Sequence, residues 1–192
     1  MKMINFIKKI FGKEKKCEPT RTEEERQQII KEMLSAPVSV KVRGFEEVSE
    51  KFKNVNVETT LPTRGSKESA GYDFYSKEEI VIKPGKQYVF WTDVKAYMMP
   101  GEVLEMYVRS SIGIKKGLVL SNSVGIIDQD YYENLKTDGN IGVCLRNESD
   151  QPQTIEVGER IAQGIFKQFL VADNISSTNE RTGGIGSTNE IK

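Results

Sequence analysis

From residue 79 onward the chain is punctuated too often for long elements. Runs of β-forming residues at 79–82, 87–92, 94–98, 103–108, 118–121, 141–145, 154–157 and 161–170 are cut by Pro84-Gly85, Pro100-Gly101, Asp138-Gly139 and Gly158. An earlier stretch, 38–45, alternates as VSVKVRGF. Strands this short, with turn signals every ~8–12 residues, predict an all-β sandwich, barrel or jelly roll.

Composition narrows the chemistry. The 192 residues suffice for one compact domain with extensions. There is no histidine, which excludes Ser-His-Asp and Cys-His triads, the usual zinc hydrolase sites and histidine phosphotransfer. Cys17 and Cys144 stand far apart without a CxxC partner. Both read as reduced thiols of an intracellular protein, with Cys144 in a strand core. Lys and Arg balance Asp and Glu at 28 each, so no nucleic-acid partner is expected. Hydrolysis in such a chain rests on carboxylate, hydroxyl, Arg and Lys groups. Mg²⁺ suits them, since it takes oxygen ligands and phosphates. No apolar stretch reaches the ~18 residues of a membrane span, and the first residues make a poor signal peptide.

The chain divides into three zones: 1–37, 38–172 and 173–192. Residues 1–16 carry six lysines and one glutamate, and Met3, Phe6, Ile7, Ile10 and Phe11 share a helical face. A basic amphipathic helix of this kind suits a membrane surface or a protein partner, an expectation that extends to residues 1–37; a frayed or disordered tail, or a helix packed on its own domain, is the plainer reading. Thr22 and Glu25 make a capping box, Ile29, Ile30, Met33 and Leu34 follow as a stripe, and Pro37 stops the helix. Beyond the β region, 173–192 is rich in Ser, Thr, Asn and Gly and reads as a mobile arm.

One stretch of the β region, 125–143, reads GIIDQDYYENLKTDGNIGV. A run of β-formers delivers a lone carboxylate, Asp128. Taken alone this is a turn at a sheet edge; in an apolar wall such a group can also serve as a base and orient water. Four other stretches offer groups suited to a phosphate chain or a sugar. SAGYDF sets Asp73 after a small-residue turn. VRSSIGIKKG puts Arg109, Ser110 and Ser111 before a glycine-containing loop, an anion seat that is not a Walker loop. GERIAQGIF sets polar groups before an apolar strand, and RTGGIGSTN places glycines, hydroxyls and Arg181 in the arm. Singly, each is unremarkable.

Together, in this order, the five stretches SAGYDF, VRSSIGIKKG, NSVGIIDQDYY, GERIAQGIF and RTGGIGSTN resemble the motifs of the all-β, homotrimeric dUTP pyrophosphatase (dUTPase) family. The resemblance spans about residues 42–189 and is closest to forms from Gram-positive bacteria and their phages. It implies a jelly-roll β-barrel (β-clip) and hydrolysis of dUTP to dUMP and pyrophosphate with Mg²⁺, in the cytoplasm of a bacterial or phage-infected cell. It also implies a homotrimer with shared active sites. One subunit gives motifs one, two and four, a neighbour gives motif three, and the third lends its arm. Asp128 would then activate the attacking water, and Tyr131 would pack on the deoxyribose and reject a 2′-hydroxyl. Asn122 would help bind uracil. Arg109, Ser110, Ser111 and Gln163 would bind the phosphates, and Asp73 would hold the Mg²⁺ shell through water. From the arm, Ile185 would cover the base while Arg181, Ser187 and Thr188 close on the γ-phosphate.

Three departures matter. Ile185 stands where the family usually has a stacking Phe, so the aromatic cover is missing or comes from elsewhere, for example Tyr132. The glycine commonly two residues after the third-motif Tyr is Glu133, and NLKTDGN lengthens the hairpin that reads the base. The first 40 residues have no counterpart in the family core. A dCTP deaminase, a relative of the same fold, needs a glutamate on the strand after motif three, and 140–144 carries none. A nucleotide-responsive binding protein and a relaxed dNTP pyrophosphatase stand as the alternative readings.

Overall fold

The computed structural model describes residues 40–54 and 57–174, together with Thr22, Gln27 and Gly183. The chain divides into two units, Met1–Val40 and Lys41–Lys192, and every strand among the described residues belongs to the second. The first predicted N-terminal helix lies outside the described residues; of the second, only Thr22 and Gln27 are described, and Gln27 is helical.

The described residues form β1 (Gly44–Glu47), β2 (Thr63–Arg64), β3 (Tyr72–Tyr75), β4 (Ile80–Ile82), β5 (Gln87–Trp91), β6 (Val94–Tyr97), β7 (Glu102–Val108), β8 (Leu118–Leu120), β9 (Gly125–Asp128), β10 (Gly142–Asn147), β11 (Gln153–Ile155) and β12 (Arg160–Gln168). They make a five-stranded sheet ordered β2-β3-β12-β7-β9, a three-stranded sheet β5-β10-β8, and the pairs β1-β6 and β11-β4. Every pairing is antiparallel. Sequence neighbours such as β4 and β5 fall in different sheets, as a jelly roll requires.

Alternation builds the core. Along β10 the side chains of Val143, Leu145 and Asn147 are buried. They meet Phe74, Phe90, Leu104, Leu118, Ile155 and Ile161 in one apolar cluster, with Asn147 beside it. Asn147 is tolerated inside because its amide donates to the carbonyls of Ile82 and Gln151, each at 2.8 Å. Cys144, expected in the strand core, does lie in β10 but only half-buried, its Sγ 3.2 Å from Ser121 Oγ.

Other expectations need correction. Of the alternating stretch 38–45, residues 40–43 are not strand and β1 starts at Gly44; the last strand stops at Gln168, leaving Leu170 98% exposed. Asp73 does follow the small-residue stretch 69–71, and it is the second residue of β3 and buried. Successive side chains of a strand point to opposite faces, so Phe74 enters the core cluster while Asp73 is buried on the other face beside Arg109 and Arg160.

Candidate active site

The first cluster forms where β3, β12 and the end of β7 meet. Register sets Asp73 of β3 opposite Gln163 of β12, and Gln163 opposite Tyr107 of β7. Arg109 follows β7 directly, and its Nη1 ion-pairs with Asp73 Oδ1. Arg160 approaches the other oxygen, with Nη1 3.4 Å from Oδ2. The Asp73 carboxylate is 3% exposed, so these two guanidiniums are what make its charge tolerable there. Gln163 lies across Gly71: a methyl at that glycine would overlap its carboxamide oxygen and sit 3.1 Å from its Cβ. Ser110 and Ser111 are exposed at the start of a single π-helical turn, Ser111–Lys115. Such turns recur at functional sites. Lys116 closes this loop against the β11–β12 turn through Glu159, at 2.6 Å. Glu159 is therefore the salt-bridged turn residue of its motif, while Gln163 faces the cluster.

The second cluster is carried by β9, β10 and the hairpin between them. Asp128 ends β9 opposite Val103, and a 3-10 turn, Gln129–Tyr131, brings Tyr131 inward. Tyr131 is 8% exposed and belongs to the core cluster, with its hydroxyl donating to the Asn140 carbonyl at 2.6 Å. Asn122 lies exposed in the turn before β9, beside β10. The backbone there offers more than the sequence suggested. Ile141 directs its N–H to Val94 O and its carbonyl to Thr92 N, whereas Cys144 turns its carbonyl to Ser121 N. Alternation then points the Gly142 N–H and C=O toward the Ser121–Asn122 side. Among the described residues no strand pairs with Gly142 on that side, because β8 pairs with Leu145–Asn147.

The lengthened hairpin is braced by polar groups. Asn134 donates to the Tyr131 carbonyl and to Thr137 Oγ1, both at 2.8 Å, and accepts from the N–H groups of Lys136 and Thr137. Lys95 reaches Glu133 at 3.1 Å and Asp138 at 3.2 Å. Burial pushes the Lys95 ammonium down, but these two carboxylates outweigh it and hold it above the ordinary value. Underneath, Lys77 pairs with Asp93 at 2.5 Å, both side chains buried. Burial pushes Asp93 up, yet Lys77 and the N–H donors of Asn54 and Asn140 outweigh burial and hold it below the usual carboxylate range. Gly139 (φ +83°) comes against Tyr131, where a Cβ would lie 3.0 Å from the Tyr131 carbonyl oxygen. So the glycine missing two residues after Tyr131 in sequence is supplied next to it in space, once the added residues fold out. Tyr132 is not available to cover a base: its hydroxyl donates to Glu46 at 2.5 Å and its ring packs edge-on against Tyr97.

The two clusters do not meet within one chain. In the five-stranded sheet Asp73 and Asp128 are three strands apart and offset by four residues along β7. At ordinary strand spacing and rise that is roughly 20 Å.

Comparison with known proteins fixes the family. The dUTPase family model matches residues 57–189. The deoxyuridine 5′-triphosphate nucleotidohydrolase of Lactococcus lactis is 49% identical over 151 residues, covering 78% of this chain and 99% of that protein. The chain belongs to the dUTPase family. It hydrolyses dUTP. Among solved structures, the dUTPase of Streptococcus mutans matches with a TM-score of 0.61 at 44% identity, over 68% of this chain and 99% of that one. A dUTPase of Staphylococcus aureus phage phi11, described with a structural Mg(II) ion, shares the fold at 22% identity and a TM-score of 0.54, over 72% and 97% of the two chains.

Of the residues read from sequence, Asp73, Arg109, Ser110, Ser111 and Gln163 converge in one cluster, and Asn122, Asp128 and Tyr131 lie together on the β9–β10 side. Arg181, Ile185, Ser187 and Thr188 lie outside the described residues. The arm's Gly183 is buried beside the aliphatic part of Lys136 in the hairpin. Sequence reasoning missed Arg160, Asn140 and Gly142. Arg160 was within reach, since it belongs to the GERIAQGIF motif. Gly142 offers only backbone groups, which no side-chain pattern signals, and the side chain of Asn140 bonds Asp93 and Phe52, which are distant in sequence.

Proposed function

We propose that this dUTPase works as a homotrimer whose active sites are each assembled from two half-sites and an arm. The observation that carries this reading is the separation of Asp73, Arg109 and Gln163 from Asp128 within one chain. A triphosphate gripped by the first group reaches Asp128 only if a second copy supplies it.

In that composite site Arg109, Ser110, Ser111 and Gln163 hold the phosphate chain, with Arg160 keeping Asp73 oriented. Asn122 and the Gly142 peptide present donors and an acceptor to the uracil edge, and Tyr131 packs on the deoxyribose. Asp128 takes a proton from the attacking water and aims it at the α-phosphorus, worth roughly 10²–10⁴-fold. From the arm, Arg181, Ser187 and Thr188 close on the γ-phosphate and Ile185 covers the base without a π-face.

Mg²⁺ is the proposed cofactor. Among the described residues no group of three or more acidic or thiol side chains gathers to hold a metal alone. One carboxylate acting through water fits Mg²⁺ nonetheless, since the ion keeps several waters and takes other ligands from substrate phosphates. Asp73 is that carboxylate. When bound, the ion neutralises charge on the triphosphate. Among the described residues no helix is long and apolar enough to cross a membrane; the cytoplasm, where the substrate pool lies, is the proposed location.

The test is pyrophosphate release with Mg²⁺ and each deoxynucleoside triphosphate in turn. Wild type should act on dUTP alone, and Asp128→Asn should lose ~10²–10⁴-fold in kcat. An Asp128→Asn variant as fast as wild type removes Asp128 from the chemistry. Release from dTTP or dCTP replaces strict uracil selection with a relaxed pocket.

A further inference from the structure

Tyr131 is held from two directions by residues outside the five motifs. Its hydroxyl donates to the Asn140 carbonyl at 2.6 Å, and its own carbonyl accepts from the Asn134 amide at 2.8 Å. Asn140 is in turn pinned by its side chain. Its Nδ2 donates to Asp93 Oδ1 at 2.9 Å and to the Phe52 carbonyl at 3.1 Å, while its Oδ1 accepts from the Asp93 N–H at 3.0 Å. Asp93 is fully buried and anchored by Lys77. The chain of contacts thus runs from a buried ion pair, through Asn140, to the phenol.

We infer that Asn140 is a positioning residue for the sugar-facing Tyr131, locked by the Lys77–Asp93 pair, and that it sets discrimination between deoxyribose and ribose. A hydroxyl bonded to a fixed carbonyl cannot let its ring tilt without breaking a buried hydrogen bond. The ring is therefore a rigid wall against a 2′-hydroxyl. Without the pin the ring gains room to yield, and the ribonucleotide enters. This role for Asn140 rests on the assignment of Tyr131 to the sugar.

The experiment measures kcat and KM of the full-length protein for dUTP and for UTP, with thermal melts and sedimentation alongside. The variants are Tyr131→Phe, Asn140→Ala, their combination, and Tyr131→Ala. Tyr131→Phe and Asn140→Ala should each lower the dUTP-over-UTP ratio of kcat/KM by about tenfold. The combination should lower it no further, because Asn140→Ala releases the carbonyl that fixes the phenol and Tyr131→Phe removes the bond to that same carbonyl. A role in folding alone would lower the melting temperature and leave the ratio unchanged. If Tyr131→Ala loses discrimination while Tyr131→Phe and Asn140→Ala keep it, the positioning role is wrong and the sugar assignment stands. If Tyr131→Ala keeps it too, both are wrong. Should Asn140→Ala fail to fold, Tyr131→Phe decides, since it removes one oxygen and keeps the ring.

Discussion

Gly71 shows how one residue's size can govern the phosphate cluster. The space a methyl would need is taken by Gln163, whose carboxamide lies over the glycine. The obstruction is the end of a flexible side chain, so Gly71→Ala should fold at a cost of about 1 kcal/mol while pushing Gln163 aside. A lost hydrogen bond to a charged phosphate is worth ~1.5–3 kcal/mol, which predicts a KM for dUTP raised at least about tenfold. Steady-state kinetics with a thermal melt checks this; an unchanged KM would mean that Gln163 does not touch substrate. Most of this cluster was legible in the sequence because its residues sit in short contiguous strings. Asp73, Arg109 and Gln163 each carry their chemistry in the side chain. Gly142 was not legible, because it offers peptide groups whose direction follows from strand alternation, and Asn140 was not, because its side-chain partners Asp93 and Phe52 are far away in sequence. Gly139 was legible only as a turn signal, because its approach to Tyr131 depends on how the lengthened hairpin folds.

At the scale of elements, the lengthened hairpin and the strand ends beneath it depend on buried charge. Lys77 and Asp93 are both almost fully buried and pair at 2.5 Å. Removing one partner should cost ~3–5 kcal/mol by stranding the other, whereas removing both can be close to neutral. Urea denaturation of Lys77→Met, Asp93→Asn and the double variant tests this. Asp93 occupies a left-handed conformation, φ +55°, which Asn also tolerates, so the substitution adds no backbone strain. Equal losses in Lys77→Met and the double variant would refute an energetic pair. The pH dependence has a definite sign. Asp93 and Asp138 are held below the usual carboxylate range in the folded protein; in both, burial opposes the shift and is outweighed, by Lys77 at Asp93 and by the Ser49 N–H and Lys95 at Asp138. Their stabilisation is complete above the unfolded carboxylate value of ~3.9 and is lost as pH falls through the lower folded values. Melting temperature should therefore be insensitive to these groups near neutrality and fall in acid, less steeply in the double variant. The strands themselves were largely readable from turn residues and apolar runs. This network was not, because Lys77, Asp93 and Asn140 look like ordinary polar positions until the fold brings them together.

The molecule as a whole carries its two half-sites on opposite parts of one sheet. Strand order and register keep Asp73 and Asp128 roughly 20 Å apart. No side-chain rotation closes such a gap, and flexing a packed five-stranded sheet to do so would break its ladders. On the proposed reading a working site draws residues from different copies, and this can be measured without a structure of the complex. Arg109→Ala removes the proposed phosphate ligand, and Asp128→Asn the proposed water-activating acid. Each variant alone should be nearly inactive. Unfolded together in equal amounts and refolded, they should form mixed trimers in which some sites draw Arg109 from one chain and Asp128 from another. Random cyclic assembly leaves about a quarter of sites with both intact, so about a quarter of wild-type activity should return. Mixing without unfolding should restore far less if the trimers exchange slowly, which separates complementation from contamination. If each chain held a complete site, every site in every mixture would carry one lesion or the other, and no activity would return. That result would overturn the shared site and require a large rearrangement of the sheet to bring Asp128 to the phosphates.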